Sequence, residues 1–549
     1  MTTRNDRARI RRAARKNFDY ATLRPGQEEA IQSVVAGRDT LAVMPTGSGK
    51  SAIYQVAGQL LDGPTVVISP LIALQRDQVD TILQQDAGGA ALVNSAMRAS
   101  ERRQVFEQLA AQGLEFLFLA PEQFANEEVL LRVREARPSL FVVDEAHCIS
   151  EWGHDFRPDY LRLGAVIEQL GHPPVLALTA TAAPPVREEI IERLGMRDPL
   201  VVARGFDRPN IWLGVERFQN EADKRRALIE RVGGAELPGL VYVATRQQAE
   251  EIAGALCQAG YSAAHYHAGL SPRQREQTQS AFMADELSII VATTAFGMGV
   301  DKPNVRFVFH YAISDSVDSY YQEVGRSGRD GQPADAILFY CPEDLNIRRF
   351  FAGGGQVDAE QVELVARAIR QRRGPVDPRV LLEETGLSQT RLGTAISRLE
   401  EVGAVEVLPS GEVQAVRSGR RVTDIAEQAA RAQERHRQHR RSRIEMIRGY
   451  AELRDCRREY LLNYFGEEFD GPCGGCDTCD AGITVMRDTA AEPFPLNSRV
   501  QHRTWGEGVV LRYEGDKIVV LFESVGYKTL ALDLVVDQGL LQGVREVGS

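Results

Sequence analysis

Short apolar runs recur through the first ~340 residues of the 549-residue chain, and longer amphipathic stretches separate them. Strands that are buried on both faces need continuous rather than alternating hydrophobicity, so these runs predict parallel strands in α/β units. A polar stretch at residues 204–224 lies between the fifth and sixth runs and predicts a division into two lobes. The predicted strands span residues 41–44, 66–68, 116–119, 140–143, 175–178, 240–243, 289–292 and 305–309.

The pattern changes after about residue 342, where the alternation of strands and helices stops. Three helices and a hairpin come next, in the order that is typical of a winged helix. We expect these helices at residues 359–372, 375–385 and 388–402, and the hairpin at residues 405–416. A charged helical stretch, a cysteine cluster and two short strands at residues 509–513 and 518–522 follow, and the strands predict a small β-barrel. The expected units are residues 1–205, 206–350, 351–420, 421–485 and 486–549.

The composition is that of a soluble protein and gives no support for export. Hydrophobic residues make up 43% and charged residues 26% of the chain. The apolar runs are far shorter than the ~18 residues that a membrane span needs. The N-terminus is charged and lacks the apolar segment of a secretory signal. We therefore expect a cytosolic protein without a transmembrane helix and without a membrane partner.

Charge is distributed unevenly along the chain, whose formal net charge is −11. Residues 1–16 contain seven basic side chains and one acidic side chain, and residues 431–460 contain ten arginines and five acidic side chains. A basic segment in an acidic protein is a candidate anion-binding face. For the second segment, a solvated helix with ion pairs at i,i+4 spacing is the alternative.

A phosphate-binding loop is predicted directly after the first apolar run. Backbone N–H groups in a glycine-rich turn at a helix N-terminus attract anions, a lysine adds charge at the β- and γ-phosphates, and a serine hydroxyl can ligate Mg²⁺. Met44 stands where the strict P-loop pattern has glycine, but the strand, loop and helix follow in the required order. The predicted nucleotide-binding residues are Thr46, Gly47, Ser48, Gly49, Lys50 and Ser51.

Two further groups complete a site for nucleotide hydrolysis. Asp144 and Glu145 follow the strand predicted at residues 140–143, where one carboxylate can hold the Mg²⁺ shell and the other can orient or deprotonate the attacking water. In the second lobe, Arg326 and Arg329 are three residues apart and can reach a γ-phosphate as arginine fingers. Together with the P-loop, these groups predict hydrolysis of a nucleoside triphosphate.

These motifs, taken in order, resemble the RecQ family of superfamily 2 DNA helicases over roughly residues 18–480. The resemblance implies two RecA-like lobes and an ATP-dependent 3′-to-5′ DNA helicase. It implies a nucleoid-associated enzyme of recombination and repair that acts on single-stranded, forked or tailed duplex DNA. Phe18-Asp19-Tyr20 and Leu23-Arg24-Pro25-Gly26-Gln27 look like the family's adenine-recognition motif. Tyr20 and Arg24 would then flank the base, and Gln27 would hydrogen-bond its edge. The implied catalytic residues are Lys50, Asp144, Glu145, Gln322, Arg326 and Arg329.

The segment after Asp144-Glu145-Ala146-His147 resembles the aromatic-rich loop through which this family couples strand contact to ATP hydrolysis. Trp152 and Phe156 offer ring faces to a nucleic-acid base, Arg157 can contact a phosphate, and His154 can donate a hydrogen bond. The alternative is that these aromatic side chains are buried in the protein core and do not contact DNA. Glu151 stands where many family members have glutamine.

Four cysteines near the C-terminus have metal-ligand spacing. Cys473, Cys476 and Cys479 are each separated by two residues, and Cys456 lies 17 positions before the first of them. Four thiolates are the number that tetrahedral Zn²⁺ needs, and they leave no open coordination position, so we expect a structural zinc. The spacing is similar to that of the RecQ zinc-binding domain.

The chain departs from the family pattern in the order of its modules. The predicted winged helix precedes the zinc module, whereas it usually follows it in RecQ proteins, and no clear HRDC domain is seen. The third winged-helix segment presents Gln389, Arg391, Thr394 and Arg398 on a polar face, which suits either DNA or protein contact. The last segment looks like the SH3-like module of UvrD-type helicases and suggests a docking site for a protein partner.

Two other functions are compatible with parts of this pattern. An RNA helicase can also contain Asp-Glu-Ala-His, but the aromatic-rich loop and the four-cysteine site argue against it. The alternative from another functional class is a DNA-binding protein that uses ATP only as a conformational switch. Such a protein would clamp or remodel DNA without unwinding it.

Overall fold

The computed structural model describes residues 4–18, 20–70, 72–94, 97–150, 153, 155–297, 301–346, 348, 357–372, 374–408, 412–416, 419–467, 469, 471–484, 493–496, 498–514, 516–522 and 524–544. Trp152 and His154, two predicted residues of the aromatic-rich loop, lie outside these described residues, as do Asp19 and Glu151.

The first lobe is a seven-stranded parallel sheet with strand order β3-β4-β2-β5-β6-β1-β7. Its central strands are buried along their whole length because helices cover both faces. The strands are β1 (Thr40–Val43), β2 (Thr65–Ile68), β3 (Ala90–Val93), β4 (Phe116–Leu119), β5 (Leu140–Val143), β6 (Val175–Thr179) and β7 (Leu200–Ala203). The α-helices span Arg4–Phe18, Gln27–Val35, Ser51–Gly58, Ile72–Gln84, Ala99–Ala110, Glu127–Glu135, Leu163–Gln169 and Pro184–Leu194. Short 3₁₀ helices span Pro121–Ala125, Ala146–Ile149 and Pro158–Arg162.

The second lobe is a six-stranded parallel sheet with strand order β10-β11-β9-β12-β13-β8. Its strands are β8 (Ile211–Arg217), β9 (Gly239–Tyr242), β10 (Ala263–Tyr266), β11 (Ile289–Ala292), β12 (Phe307–His310) and β13 (Ala334–Tyr340). Its helices span Glu221–Gly233, Arg246–Gln258, Pro272–Met283 and Val317–Val324.

Three helices and a two-stranded hairpin form the next unit, as expected for a winged helix. The helices span Ala359–Arg370, Pro378–Thr385 and Gln389–Glu401, and the hairpin pairs β14 (Val405–Val407) with β15 (Val413–Ala415). A 31-residue helix, Val422–Glu452, follows and is called the arm helix below. Its first turns belong to the apolar core of the winged helix, and its C-terminal half leads into the cysteine cluster. Two short helices, Arg457–Tyr464 and Asp477–Asp480, complete the zinc-binding region.

The C-terminal unit is a five-stranded antiparallel sheet with strand order β19-β18-β17-β16-β20. Its strands are β16 (Arg499–His502), β17 (Gly506–Glu514), β18 (Lys517–Phe522), β19 (Gly526–Ala531) and β20 (Leu541–Gly543), and a short helix spans Leu532–Asp537. None of the helices within the described residues is both long and apolar enough to cross a membrane.

The two lobes and the zinc-binding region pack against one another. One continuous cluster of buried apolar side chains contains residues of the first lobe, such as Leu163, of the second lobe, such as Tyr320, and of the zinc-binding region, such as Tyr450. The first lobe has a second core on the other face of its sheet, and the N-terminal helix contributes Ile10, Ala14 and Phe18 to it.

The predicted fold class is confirmed, with two parallel-sheet lobes, a helical zinc-binding region and a C-terminal antiparallel sheet. The polar stretch at residues 204–224 contains a strand that sequence reasoning missed, because β8 lies inside it and forms an edge of the second sheet. Within the described residues of the two lobes, four further strands escaped the search for apolar runs, namely β3, β7, β10 and β13.

Candidate active site

The P-loop follows β1 and leads into the helix Ser51–Gly58, as the sequence predicts. Gly47 and Gly49 have φ angles of +77° and +76°, a backbone conformation that favours glycine. A Cβ on Gly49 would lie 2.9 Å from Gln27 Nε2, so a side chain at this position would displace the Gln27 amide from the loop. Lys50 Nζ donates to the carbonyl oxygens of Met44 at 3.1 Å and Pro45 at 3.4 Å. Burial lowers the pKa of Lys50, while Glu145 and Asp144 oppose this effect.

The three predicted adenine-recognition residues lie beside the P-loop. Gln27 Nε2 donates to the carbonyl oxygens of Ser48 and Gly49, each at 2.9 Å, and Gln27 Oε1 accepts from Arg24 N at 2.7 Å. The Arg24 guanidinium donates to the carbonyl oxygen of Gly47. The ring of Tyr20 stacks on Phe18, and its hydroxyl donates to Gln55 Oε1 at 2.8 Å. A group that occupied Gln27 would therefore act directly on the loop that holds phosphate.

The carboxylate pair lies at the carboxyl end of β5. Burial raises the pKa of both Asp144 and Glu145, and the nearby Lys50 ammonium opposes the rise. Glu145 has a φ of +48°, a left-handed conformation that a non-glycine residue adopts at a cost of order 1 kcal/mol and that is common at functional sites. Tyr160 supports the turn because its hydroxyl donates to the carbonyl oxygen of Asp144 at 3.0 Å.

The second lobe places its predicted residues against this site. Gln322, on the helix Val317–Val324, donates from Nε2 to Thr181 Oγ1 of the first lobe at 3.3 Å. The Arg329 side chain lies against the P-loop, 3.2 Å from the position that a Cβ on Gly47 would occupy, and it pairs with Asp301. Arg326 is buried, and its guanidinium donates to the carbonyl oxygen of Gly297.

An open cleft of about 700 Å³ lies between the lobes and is lined from both sides. The first lobe contributes the P-loop from Pro45 to Ser48, and the second lobe contributes Gly328, Arg329 and Gly331. Within the described residues, Thr46 Oγ1, Ser48 Oγ and Arg326 Nε are buried without a hydrogen-bond partner. Two hydroxyls and a guanidinium N–H in need of acceptors fit the oxygens of a triphosphate.

Sequence reasoning missed a chain of polar contacts that runs from the carboxylates towards the second lobe. His147 Nδ1 lies 3.3 Å from Glu145 Oε2 and 2.9 Å from Thr179 Oγ1. Thr179 Oγ1 donates to the carbonyl oxygen of Thr181 at 3.0 Å, and the Thr181 hydroxyl accepts the hydrogen bond from Gln322 Nε2. Burial lowers the pKa of His147 to about 4, so this histidine is neutral at pH 7. The signal was present as Thr179-Ala180-Thr181 directly after a buried strand.

The segment between the lobes also positions the arginine-bearing loop. Arg208 donates to the carbonyl oxygens of Ser327 at 3.0 Å and Gly328 at 2.9 Å. Asn210 Nδ2 donates to the carbonyl oxygens of Gly328 and Gln332, both at 2.9 Å. The motif Asp207-Arg208-Pro209-Asn210 therefore holds the loop that presents Arg326 and Arg329.

The described part of the aromatic-rich loop contacts the arm helix. The Phe156 ring lies 5.3 Å, between centroids, from the ring of His436, and the Arg443 guanidinium donates to the carbonyl oxygen of Gly153. Arg157 forms an ion pair with Asp155 at 2.8 Å and donates to the carbonyl oxygen of Pro70 at 3.2 Å. Phe156 and Arg157 are both partly accessible at the surface, and Arg157 is engaged by a carboxylate in this conformation.

The four predicted zinc ligands are brought together. Each of Cys456, Cys473, Cys476 and Cys479 offers an Sγ atom, and these atoms all lie within 4.8 Å of one another. A set of four thiol sulfurs at this spacing fits tetrahedral Zn²⁺ without an open position. The cluster docks on the edge strand β8, because Leu213 N donates to the carbonyl oxygen of Gly475 at 3.2 Å and Trp212 Nε1 donates to Asp480 at 2.8 Å.

The interpretation of Arg398 as part of an exposed polar face was wrong. Arg398 is 8% exposed and pairs with Glu401. The reason is that the helix Gln389–Glu401 packs against the arm helix, where Glu401 contacts His436 at 3.3 Å. The same helix reaches the first lobe through an ion pair of 3.3 Å between Glu400 and Arg162.

The C-terminal sheet is docked on the body of the protein. The hydroxyls of Tyr527 and Tyr464 are 3.0 Å apart, and Tyr527 N donates to Ser442 Oγ of the arm helix. Arg499 forms an ion pair of 2.9 Å with Glu188 of the first lobe. Part of the C-terminal surface that we predicted as a docking site for a partner protein therefore contacts other parts of the same chain.

Two parallel-sheet lobes that share a nucleotide cleft, with a P-loop and carboxylates on one side and arginines on the other, define a two-lobed helicase motor. Residues 24–190 match the DEAD/DEAH box helicase family, residues 223–331 match the helicase conserved C-terminal domain, and residues 417–480 match the RecQ zinc-binding family. The chain belongs to the RecQ family of helicases.

The similar proteins agree with this assignment. The chain is 34% identical over 487 residues to the probable ATP-dependent DNA helicase RecS of Bacillus subtilis, covering 88% of this chain and 94% of that protein. It is 36% identical over 463 residues to the ATP-dependent DNA helicase RecQ of Pasteurella multocida, covering 84% of this chain but only 61% of that relative. The crystal structure of the DUF1998 helicase MrfA bound to DNA shares the fold, with a TM-score of 0.53 at 17% identity, over 76% of this chain and 63% of that chain.

Proposed function

We propose that this chain is an ATP-dependent DNA helicase that moves 3′ to 5′ along single-stranded DNA and unwinds duplexes. The observation that carries the proposal is the cleft in which the P-loop of one lobe faces Arg329 of the other. A nucleotide held from both sides favours a closed arrangement of the lobes, and its hydrolysis removes that preference. Strand affinity that differs between the two arrangements is what converts opening and closing into movement.

The side chains of the cleft suggest how hydrolysis proceeds. The P-loop N–H groups and the hydroxyls of Thr46 and Ser48 would hold the phosphates, and Lys50 would exchange its carbonyl acceptors for phosphate oxygens. Glu145 would orient the attacking water and take its proton as the water oxygen bonds to the γ-phosphorus and the bond to the leaving oxygen breaks. Burial raises the pKa of Glu145, which makes its carboxylate a stronger base. Arg326 and Arg329 would stabilise the charge that spreads over the γ-phosphoryl oxygens.

The chain also has residues suited to a magnesium ion. Ser51, at the start of the helix that follows the P-loop, and Asp144, directly after β5, would supply oxygen ligands, which are what Mg²⁺ prefers. When bound, Mg²⁺ supplies positive charge that offsets the negative charge of the phosphates. The four cysteines are proposed to hold a structural Zn²⁺ that takes no part in the reaction.

The route from DNA to the nucleotide is proposed to pass through the aromatic-rich loop. This loop follows Asp144 and Glu145 directly in the chain, so a strand that displaces Phe156 or Arg157 acts on the turn that holds the carboxylates. His147, Thr179 and Thr181 then connect this turn to Gln322 in the second lobe. Trp152 and His154 are proposed to share in strand contact.

The direction of movement, the role in recombination and repair, and a cytoplasmic, nucleoid-associated location stay predictions. A protein partner at the C-terminal sheet is a prediction too. On the short helix of that sheet, Leu534 and Val536 are more than half exposed, at 51% and 55%.

The test combines ATPase rates with and without single-stranded DNA and unwinding of duplexes that have either a 3′ or a 5′ tail. We expect strong stimulation by single-stranded DNA and unwinding of the 3′-tailed duplex alone. Stimulated hydrolysis without unwinding would indicate a translocase or remodelling protein, and unwinding from the 5′ tail would contradict the proposed direction. Slow hydrolysis that single-stranded DNA does not change would support the ATP switch instead.

A further inference from the structure

A second group of metal-ligand side chains lies in the second lobe, outside the nucleotide cleft. Within the described residues, two groups bring three or more His, Cys, Asp or Glu ligand atoms within 4.8 Å of one another. One is the cysteine cluster, and the other consists of Glu250, His265 and His267. Neither the P-loop chemistry nor the zinc-binding region uses these three residues.

The fold explains why the three side chains meet. His265 lies in the edge strand β10, and His267 follows two residues later, so strand alternation places both rings on the same face of the sheet. The rings are stacked with centroids 5.3 Å apart. The helix Arg246–Gln258 packs on that face and brings Glu250 to the rings, with Glu250 Oε1 3.1 Å from His267 Nε2.

The separation of the ligand atoms fits a metal ion as well as it fits a hydrogen bond. Two ligands at about 2.05 Å from a tetrahedral Zn²⁺ are roughly 3.3 Å apart, which is close to the separation of Glu250 Oε1 and His267 Nε2. The His267 side chain is only 5% exposed, whereas Glu250 is 56% exposed, so an ion would have a buried anchor and an open entry from solvent.

The protonation of His267 is compatible with this role. Its Nδ1 is buried and has no hydrogen-bond partner among the described residues, so nothing there competes for a proton on that nitrogen. In the hydrogen bond with Glu250 the carboxylate can only accept, so Nε2 carries the proton and donates it. Metal binding requires that this proton move to Nδ1 or to solvent, which frees the Nε2 lone pair. Binding a cation would then replace one hydrogen bond, between Nε2 and the carboxylate, with two coordinate bonds.

We propose that Glu250, His265 and His267 form a second metal site that binds a divalent transition-metal ion of the Zn²⁺ class. Two imidazoles and one carboxylate are a ligand set that such ions accept, and they leave at least one coordination position for water or another exchangeable ligand. Nearby Arg246 contributes opposing positive charge, because its Nη1 and His267 Nδ1 both lie 3.1 Å from the position of a Cβ on Gly269. The site is therefore weaker than the cysteine cluster and fills reversibly.

The site would tie an edge strand to the helix that covers it. β10 has a neighbour on one side only, and most of its side chains are partly exposed. A bound ion that links β10 to the helix Arg246–Gln258 would stabilise this edge of the second lobe through mass action. This proposal does not depend on the helicase function, because its test counts metal ions and not turnover.

The test is the zinc content of the full chain at equilibrium with free Zn²⁺ buffered at about 10 µM, followed by thermal unfolding with and without that zinc. We expect two zinc ions per chain for the wild type and one for Glu250→Ala and for His265→Ala. We also expect the added zinc to raise the Tm of the wild type and to leave the Tm of both variants unchanged.

Glu251→Ala is the matched control, since Glu251 is the next carboxylate on the same helix and hydrogen-bonds Gln247 at 2.7 Å. This variant should keep both ions. Retention of one zinc by Glu250→Ala and His265→Ala shows that they fold around the cysteine cluster. A wild type that binds one ion, or a second ion that survives in both variants, would overturn the proposal.

Discussion

Lys50 shows how burial prepares a single side chain for phosphate. Its ammonium is partly shielded from solvent and is held by two backbone carbonyl oxygens of its own loop. Burial alone lowers its pKa, and the carboxylates of Glu145 and Asp144 act against this. A γ-phosphate would add a full negative charge beside the ammonium, so the interaction with ATP is strong.

We expect Lys50→Ala to lower the ATPase rate by more than about 100-fold, because a preorganised charge on the transferred phosphate is lost. Binding of single-stranded DNA should change by less than about threefold, since Lys50 lies inside the cleft. The measurements are steady-state hydrolysis and fluorescence anisotropy of a labelled strand. Lys517→Ala, on an exposed position of β18, is the control. A large loss of DNA binding in Lys50→Ala would contradict the proposal that Lys50 acts on the nucleotide and not on DNA.

At the scale of elements, the arm helix is a bridge between modules. It belongs to the winged-helix core at its start, contacts the aromatic-rich loop through His436 and Arg443, and ends beside the cysteine cluster. Its many arginines do not form one uniform anion-binding face, because several of them are engaged within the protein. Arg448, for example, pairs with Glu445 and Glu452 at 3.1 Å.

We expect Arg443→Ala to reduce the stimulation of ATP hydrolysis by single-stranded DNA by about threefold to tenfold, since a typical hydrogen bond contributes roughly 0.5–1.5 kcal/mol net. The reason is that its contact with the carbonyl oxygen of Gly153 positions the aromatic-rich loop. Hydrolysis without DNA should stay unchanged. Arg431→Ala is the control, because Arg431 is 75% exposed on the same helix and pairs with Glu427. If single-stranded DNA stimulates ATP hydrolysis in Arg443→Ala as strongly as in the wild type, this contact takes no part in coupling DNA binding to hydrolysis.

At the scale of the whole molecule, the zinc-binding region is part of the second lobe's support. Arg457 pairs with Asp477, and Asp477 in turn accepts from Val215 N of β8 at 2.9 Å. Arg458 forms an ion pair of 2.6 Å with Asp207 in the segment between the lobes. Loss of the cysteine cluster should therefore destabilise more than the local loop.

We expect Cys476→Ser to yield poorly soluble protein that lacks stoichiometric zinc after dialysis against zinc-free buffer, because a structural zinc contributes folding free energy directly. Metal analysis and the soluble fraction after expression are the measurements. Cys257→Ser is the control, since Cys257 is exposed and lies outside the cluster. Full zinc content in dialysed Cys476→Ser would rule out the ligand set.

The two contacts of the C-terminal sheet should differ in strength. Tyr527→Ala removes an aromatic ring that packs against the ring of Tyr464 and should cost about 3 kcal/mol of the free energy of unfolding. Arg499→Ala breaks an ion pair whose two side chains are about half exposed, at 48% and 53%, and should cost less than about 1 kcal/mol. Thermal or urea unfolding measures both. Equal effects would mean that the sheet does not dock through Tyr527.

The sequence by itself determined the features that are contiguous in the chain. The eight apolar runs became strands at the centre of the two sheets or next to it, because a strand covered on both faces must be apolar at every position. The strands that were missed include all four sheet edges, β3, β7, β8 and β10, where one side is uncovered and polar residues are tolerated. The P-loop and the cysteine cluster could also be predicted from the sequence, because the residues of each motif lie close together in the chain and their types indicate what they bind.

Only the tertiary structure decided which distant residues meet. Gln322 contacts Thr181 across 141 positions, Arg443 contacts Gly153 across 290, and Arg499 contacts Glu188 across 311. The packing of the winged helix on the arm helix buried Arg398, and the pairing of β10 with its covering helix placed Glu250 beside two histidines. No local pattern encodes these contacts, because they depend on how the lobes, the arm helix and the C-terminal sheet pack once each has folded.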